Sequence, residues 1–185
     1  MKRLIQNKLR HFASDVRGTA TIELAIFVPL LLFMIAASYV YYDAFRQKAV
    51  NTNAAYTISD ALSRETDEID SLYMDGAHEL LEFLTAADGQ TGLRVTVVKW
   101  NDTTSAYEVD WSESRGPLYP LTNTSLEDAL GGNLPVLLHN ERVIVVETSS
   151  TYVPPLALAG LNQQELYNFA FTRPRFAPKL VWAGS

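Results

Sequence analysis

Nineteen consecutive residues, Leu24 to Tyr42 (LAIFVPLLLFMIAASYVYY), carry no charged side chain. As a helix rising ~1.5 Å per residue they span roughly 28 Å, close to the ~30 Å hydrocarbon core of a bilayer. Whatever the remaining residues do, they must do it as the cargo of this apolar segment or after being cut from it. One carboxylate, Glu23, stands at its entrance, five residues after Gly18, and Lys2, Arg3, Lys8, Arg10 and Arg17 precede it.

The charge is divided to match. Residues 1–18 hold five bases and one acid, Asp15, for a net of +4, whereas residues 43–185 hold ten bases and nineteen acids, a net of −9. Basic flanks stay on the cytoplasmic side of a membrane helix, so the expected topology is N-in, with the C-terminal part outside. An acidic head argues against nucleic-acid partners, which require a basic face. The chain has no cysteine, so disulfides and thiolate metal sites are excluded and the head must be held by burial and hydrogen bonding. The expected organisation is a basic cytoplasmic leader over 1–18, a transmembrane or assembly helix over 19–42, an amphipathic helical stalk over 43–88 and an exported β head over 89–185.

Three readings of the opening compete. A cleaved secretory signal would use Ala36-Ala37-Ser38 as its small-residue site, but such signals have apolar regions of only ~7–15 residues. A permanent anchor would place Tyr39, Tyr41 and Tyr42 as an aromatic belt at the outer membrane interface, with Pro29 tolerated inside the span. Neither explains Gly18 and Glu23. A carboxylate in a membrane span costs ~2–3 kcal/mol at the centre of a helix and less near its ends, and is kept where a partner neutralises it. Cleavage between Gly18 and Thr19 would create such a partner. The new α-amino group lies close to Glu23 and, among parallel helices, can pair with Glu23 of a neighbouring subunit.

Beyond the membrane, Ala54, Ile58, Ala61 and Leu62 keep helical spacing. The acidic stretch Ser63–Asp70 interrupts it, and Thr66 is the expected N-cap of a second helix. That helix would bury Ile69, Leu72, Tyr73, Leu80, Leu81 and Leu84 and end near Asp88-Gly89. Strands are expected over Leu93–Trp100, Tyr107–Ser112, Arg142–Val153 and Tyr167–Thr172. Val143-Ile144-Val145-Val146 reads as a strand buried on both faces. The Gly-, Pro- and Asn-rich interval Ser114–Asn140 reads as a long exposed excursion with a short helix over Ser125–Leu130. Arg173-Pro174-Arg175 would end the ordered pattern. The fold class is α+β: one N-terminal transmembrane helix extends into an amphipathic stalk packed on an antiparallel sheet of about four strands.

No catalytic constellation stands out. His11, His78 and His139 lack metal-ligand spacing, no phosphate-binding Gly-rich loop or nucleophile elbow is present, and the acids read as surface and loop residues. The acid cluster Glu65, Asp67, Glu68 and Asp70 lacks the alternating pattern of a calcium loop. No enzyme activity, metal or other cofactor is expected.

The opening RGTATIELAIFVPLLL, the phrase ISDALSRET at Ile58–Thr66, the strand RVIVVETSSTYVP and the ending FTRPRFAPKL together resemble the TadE-like proteins of the tight-adherence (Tad/Flp) pilus system. The resemblance covers most of the chain and is weakest across Asn101–Asn140. It implies a minor pilin or pseudopilin of a bacterial type IVb pilus, held in the inner membrane with its head in the periplasm. Its implied partners are a prepilin peptidase and other pilins, pseudopilins and pilus assembly proteins. Gly18 would then precede the cut, Thr19 would be the new N-terminus and Glu23 the assembly carboxylate. Leu24 stands where major Flp subunits usually carry Tyr, and the head far exceeds theirs, so a low-copy role fits better than that of bulk fibre subunit. The alternative is an unprocessed single-pass protein whose periplasmic head scaffolds pilus or envelope assembly.

Overall fold

Helix α1 runs without interruption from Arg17 to Arg64, 48 residues. The computed structural model describes residues 17–87, 89–130, 132–156, 160 and 162–184. Of the expected leader only Arg17 and Gly18 are among them, and both belong to α1. Pro29 lies inside the helix, where it removes one backbone donor. The N-terminal part of α1 is exposed, and burial begins at Val40.

After α1 come α2 (Ser71–Thr85), β1 (Thr91–Asn101), β2 (Ala106–Arg115), α3 (Asn123–Leu130), β3 (Arg142–Tyr152) and β4 (Gln164–Thr172). The four strands form one antiparallel sheet in the order β2-β1-β3-β4. The expected α+β architecture is therefore the one observed. A bulge between Val97 and Val98 shifts the β1–β2 register.

Strand alternation sorts the core onto two faces. On one face Leu93, Val95, Val97, Ile144 and Val146 meet Ala54, Ile58 and Leu62 of α1 and Met74, Ala77 and Leu81 of α2. Fully burying a side chain of the size of Leu62 or Ile58 stabilises by ~1.5–3 kcal/mol. On the other face Val98, Val143 and Val145 meet Leu121, Leu126, Leu130 and Leu137. The central run of β3 is thus buried on both sides, as its sequence predicts.

Several expectations need correction. The second helix is capped by Asp70, whose carboxylate accepts from the Tyr73 N–H at 2.8 Å, and not by Thr66. Its buried face is Met74, Ala77, Leu81 and Thr85, whereas Leu72 and Leu80 face solvent. It ends at Thr85 with Ala86 in the left-handed region (φ 43°), before Gly89; Asp88 lies outside the described residues. The Ser114–Asn140 excursion is only partly exposed, because its leucines are spaced to cover the second face of the sheet. Asn123 spends its side chain there, accepting the Val109 N–H at 2.7 Å.

Nor does order stop at Arg173. The Arg175 N–H donates to the Ser63 carbonyl, and Ile69 exchanges backbone hydrogen bonds with Val181 and Ala183. Leu180 is buried in the first core, and Trp182 lies against Trp111 with ring centroids 5.7 Å apart. The tail thus pairs with the end of α1 and with the connection between α1 and α2.

Candidate functional site

From Thr21 to Tyr39 α1 presents apolar side chains to its surroundings on every side. Ile22, Leu24, Ile26, Leu32 and Ile35 are each more than 60% exposed. A helix that is apolar all round is stable only in lipid or among other helices. Within Thr21–Arg64 it is long and apolar enough to cross a membrane, and only 6% of its most apolar window is buried within the protein.

Gly18 and Glu23 are carried on this exposed helix, and both are exposed. A Cβ added to Gly18 would meet nothing within 4 Å. Glycine in a helix interior costs roughly 0.5–1 kcal/mol relative to alanine, so neither packing nor backbone conformation calls for it here. Thr19 precedes Glu23 by four residues, about one turn of α1. Between Arg17 and Asp43 Glu23 is the only ionisable acid or base of the Asp/Glu/Lys/Arg set. Tyr39, Tyr41 and Tyr42, at the other end of the apolar run, are 56%, 44% and 68% exposed.

Beyond Tyr42 the helix turns polar on one side. Tyr152 donates to Asp43 at 3.0 Å, Gln47 donates to the Thr85 carbonyl at 2.8 Å, and Ser150 donates to Asn51 at 2.6 Å. Thr52 donates to the Asn168 carboxamide oxygen at 2.9 Å. Buried polar groups of this kind fix register and rotation, because a shifted helix would leave them unpaired. The exposed half of α1 runs on without a break into the half that packs on the sheet.

The acids are not confined to helices and loops, as the sequence suggested. Glu147 lies in the middle of β3 and is fully buried. Arg94, directly opposite on β1, donates through Nε to Oε2 at 2.7 Å and through Nη2 to Oε1; Tyr167 of β4 also donates to Oε1. Burial alone would lower the Arg94 pKa, but its hydrogen bonds to Glu147 and that carboxylate's charge hold it above its ordinary value. Burial, then the same carboxylate, push the Tyr167 phenol up. Arg94 also reaches the Tyr119 carbonyl at 2.8 Å, tying the covering segment to the sheet. A two-point guanidinium and a phenol engage both oxygens of Glu147 from within the fold. Its chemistry is that of a structural clamp.

On β2, Glu108 and Asp110 pair with Lys99, and Asp110 also pairs with Arg142. His78 contacts the Thr91 carbonyl at 3.1 Å, and His139 lies 3.7 Å from Asp102; His11 lies outside the described residues. Among the described residues no three His, Cys, Asp or Glu side chains converge as a metal site would require.

The arrangement is thus a sealed α+β head fixed to one end of an exposed apolar helix, with Gly18, Thr19 and Glu23 at the other end. Compared with known proteins, the chain gives no significant match to a family model, a curated protein or a solved structure.

Proposed function

We propose that the chain is a TadE-like minor pilin or pseudopilin that serves assembly of a Tad/Flp type IVb pilus. In this reading a prepilin peptidase cuts between Gly18 and Thr19, and α1 then leaves the bilayer to pack among other pilin helices. The observation that carries the reading is an uninterrupted half-helix, apolar on all sides, with one exposed carboxylate a turn from Thr19. A plain anchor needs the apolar surface but has no use for the carboxylate. An assembling helix uses both: the surface packs on neighbours, and Glu23 pairs with the Thr19 ammonium of an adjacent subunit. Opposite charges brought together away from water attract far more strongly than in water, which sets the axial register of one subunit against the next. Gly18 fits as a residue recognised by the peptidase, since the fold has no need of it.

The size of the head favours a low-copy initiating, capping or assembly role. The tyrosines at the helix exit support the second reading, a permanently anchored inner-membrane protein whose periplasmic head scaffolds other parts. Glu23→Ala separates the two. The substitution removes an exposed side chain, so membrane insertion and head stability should be unchanged. Pilus output at normal protein level should fall sharply. Normal fibre production by Glu23→Ala would contradict the assembly role.

A further inference from the structure

We propose that the segment leaving β3, Val153–Leu156, seats in the headgroup layer of the outer leaflet, so that the head rests on the lipid surface. The inference depends on α1 spanning a bilayer but not on pilus assembly. Helix geometry gives the level. The charge-free run ends at Tyr42, and each headgroup layer is about 5–7 Å deep. Four further residues at ~1.5 Å each reach Arg46. Asp43 to Arg46 therefore occupy the headgroup layer.

The end of β3 is held at that level. Tyr152 donates to Asp43 at 3.0 Å, and Val153 lines one cleft with Asp43 and Arg46. The chain leaving β3 thus emerges among lipid headgroups. Its composition suits that place. Residues 153–163 (VPPLALAGLNQ) include no charged side chain, and the charge-free stretch extends from Thr148 to Gln164. A connection facing water is ordinarily polar. Val153 and Leu156 are 45% and 47% exposed, beside Tyr42 at 68% and Phe45 at 71% on the helix. Pro154 and Pro155 have no backbone N–H to desolvate, which lowers the cost of placing this segment in an apolar layer. Apolar side chains entering the interface by ~5–10 Å are the usual means of surface seating.

The absence of cysteine permits a direct test on the full chain in vesicles of phosphatidylethanolamine and phosphatidylglycerol. Single variants Tyr42→Cys, Val153→Cys, Leu156→Cys and Thr66→Cys would carry an environment-sensitive fluorophore. They would be challenged with shallow lipid-borne quenchers and with aqueous iodide. Thr66 lies two residues past the far end of α1. The proposal expects the Val153 and Leu156 labels to lose fluorescence to the lipid quencher as the Tyr42 label does, and the Thr66 label to respond to iodide alone. Labels at 153 and 156 that respond like Thr66 would overturn it, as would labels shielded from both quenchers, which would indicate a protein contact. Should the Tyr42 label also escape the lipid quencher, it is the membrane anchoring of α1 that fails.

Discussion

Truncating Arg94 to alanine should unfold the head more readily than any other single charge removal. Glu147 is fully buried, and the Arg94 side chain is 12% exposed. The variant would leave the carboxylate in the sheet with Tyr167 as its remaining side-chain donor. Breaking a buried pair from one side costs ~3–5 kcal/mol, against a total stability for a domain of this size of about 5–15 kcal/mol. The loss of the Tyr119 carbonyl contact adds to the same side. At about 2–4 °C per kcal/mol for a domain of 150 or so residues, the midpoint of thermal unfolding should fall by on the order of 10 °C. The assay is denaturant and thermal unfolding of the full chain in detergent, followed by near-ultraviolet circular dichroism of Trp111 and its neighbours. Arg94→Met/Glu147→Met, which removes both charges and keeps the volume, should recover much of the loss, because well-packed apolar replacements of buried pairs are often neutral. A loss below ~1 kcal/mol for Arg94→Ala would refute the reasoning, since a pair that cheap to break behaves as a surface pair.

Two other perturbations test how α1 is joined to the head. Asn51→Ala deletes a fully buried carboxamide that holds Ser150, and should destabilise by ~1–3 kcal/mol through the hydroxyl left unpaired; equilibrium unfolding of the variant measures it. Burial, then the Asp43 hydrogen bond, push the Tyr152 phenol up to about 12, and burial, then the Glu65 charge, push Tyr73 up to about 12. An unfolded tyrosine ionises near 10, so the contribution of these phenols is fully present below about pH 10 and is lost as pH rises toward 12. Tyr152→Phe should therefore flatten the alkaline limb of a stability-against-pH curve, and an unchanged limb would count against the Asp43 contact.

Much of this architecture is legible in the sequence because it rests on periodicity. The uncharged run Leu24–Tyr42, the valine run at 143–146 and the alternation of Leu93, Val95 and Val97 each report burial directly. The misreadings arise where tertiary contacts choose between local options. Thr66 and Asp70 are both competent caps, and the pairing of Ile69 with the Val181–Ala183 segment places the turn at Asp70. Leu72 and Leu80 look like core residues until α1 is docked, when Met74, Ala77 and Leu81 are the ones facing it. The leucines of the 114–140 excursion are too widely spaced to announce a shared face. Arg94 and Glu147 did leave a trace, a charge of opposite sign inside each of two apolar strands, but only strand pairing shows that they are opposite one another. Gly18 and Glu23 are legible for the contrary reason: nothing in the folded head explains them.

Whether Gly18-Thr19 is a processing site, with Glu23 acting beside the amine freed there, is answered by the N-terminal residue of the membrane-associated protein isolated from its native host. Processing yields a chain beginning at Thr19. A chain that retains residues 1–18 would contradict it in favour of the permanent anchor, and one beginning near Tyr39 would contradict the membrane role of α1 altogether.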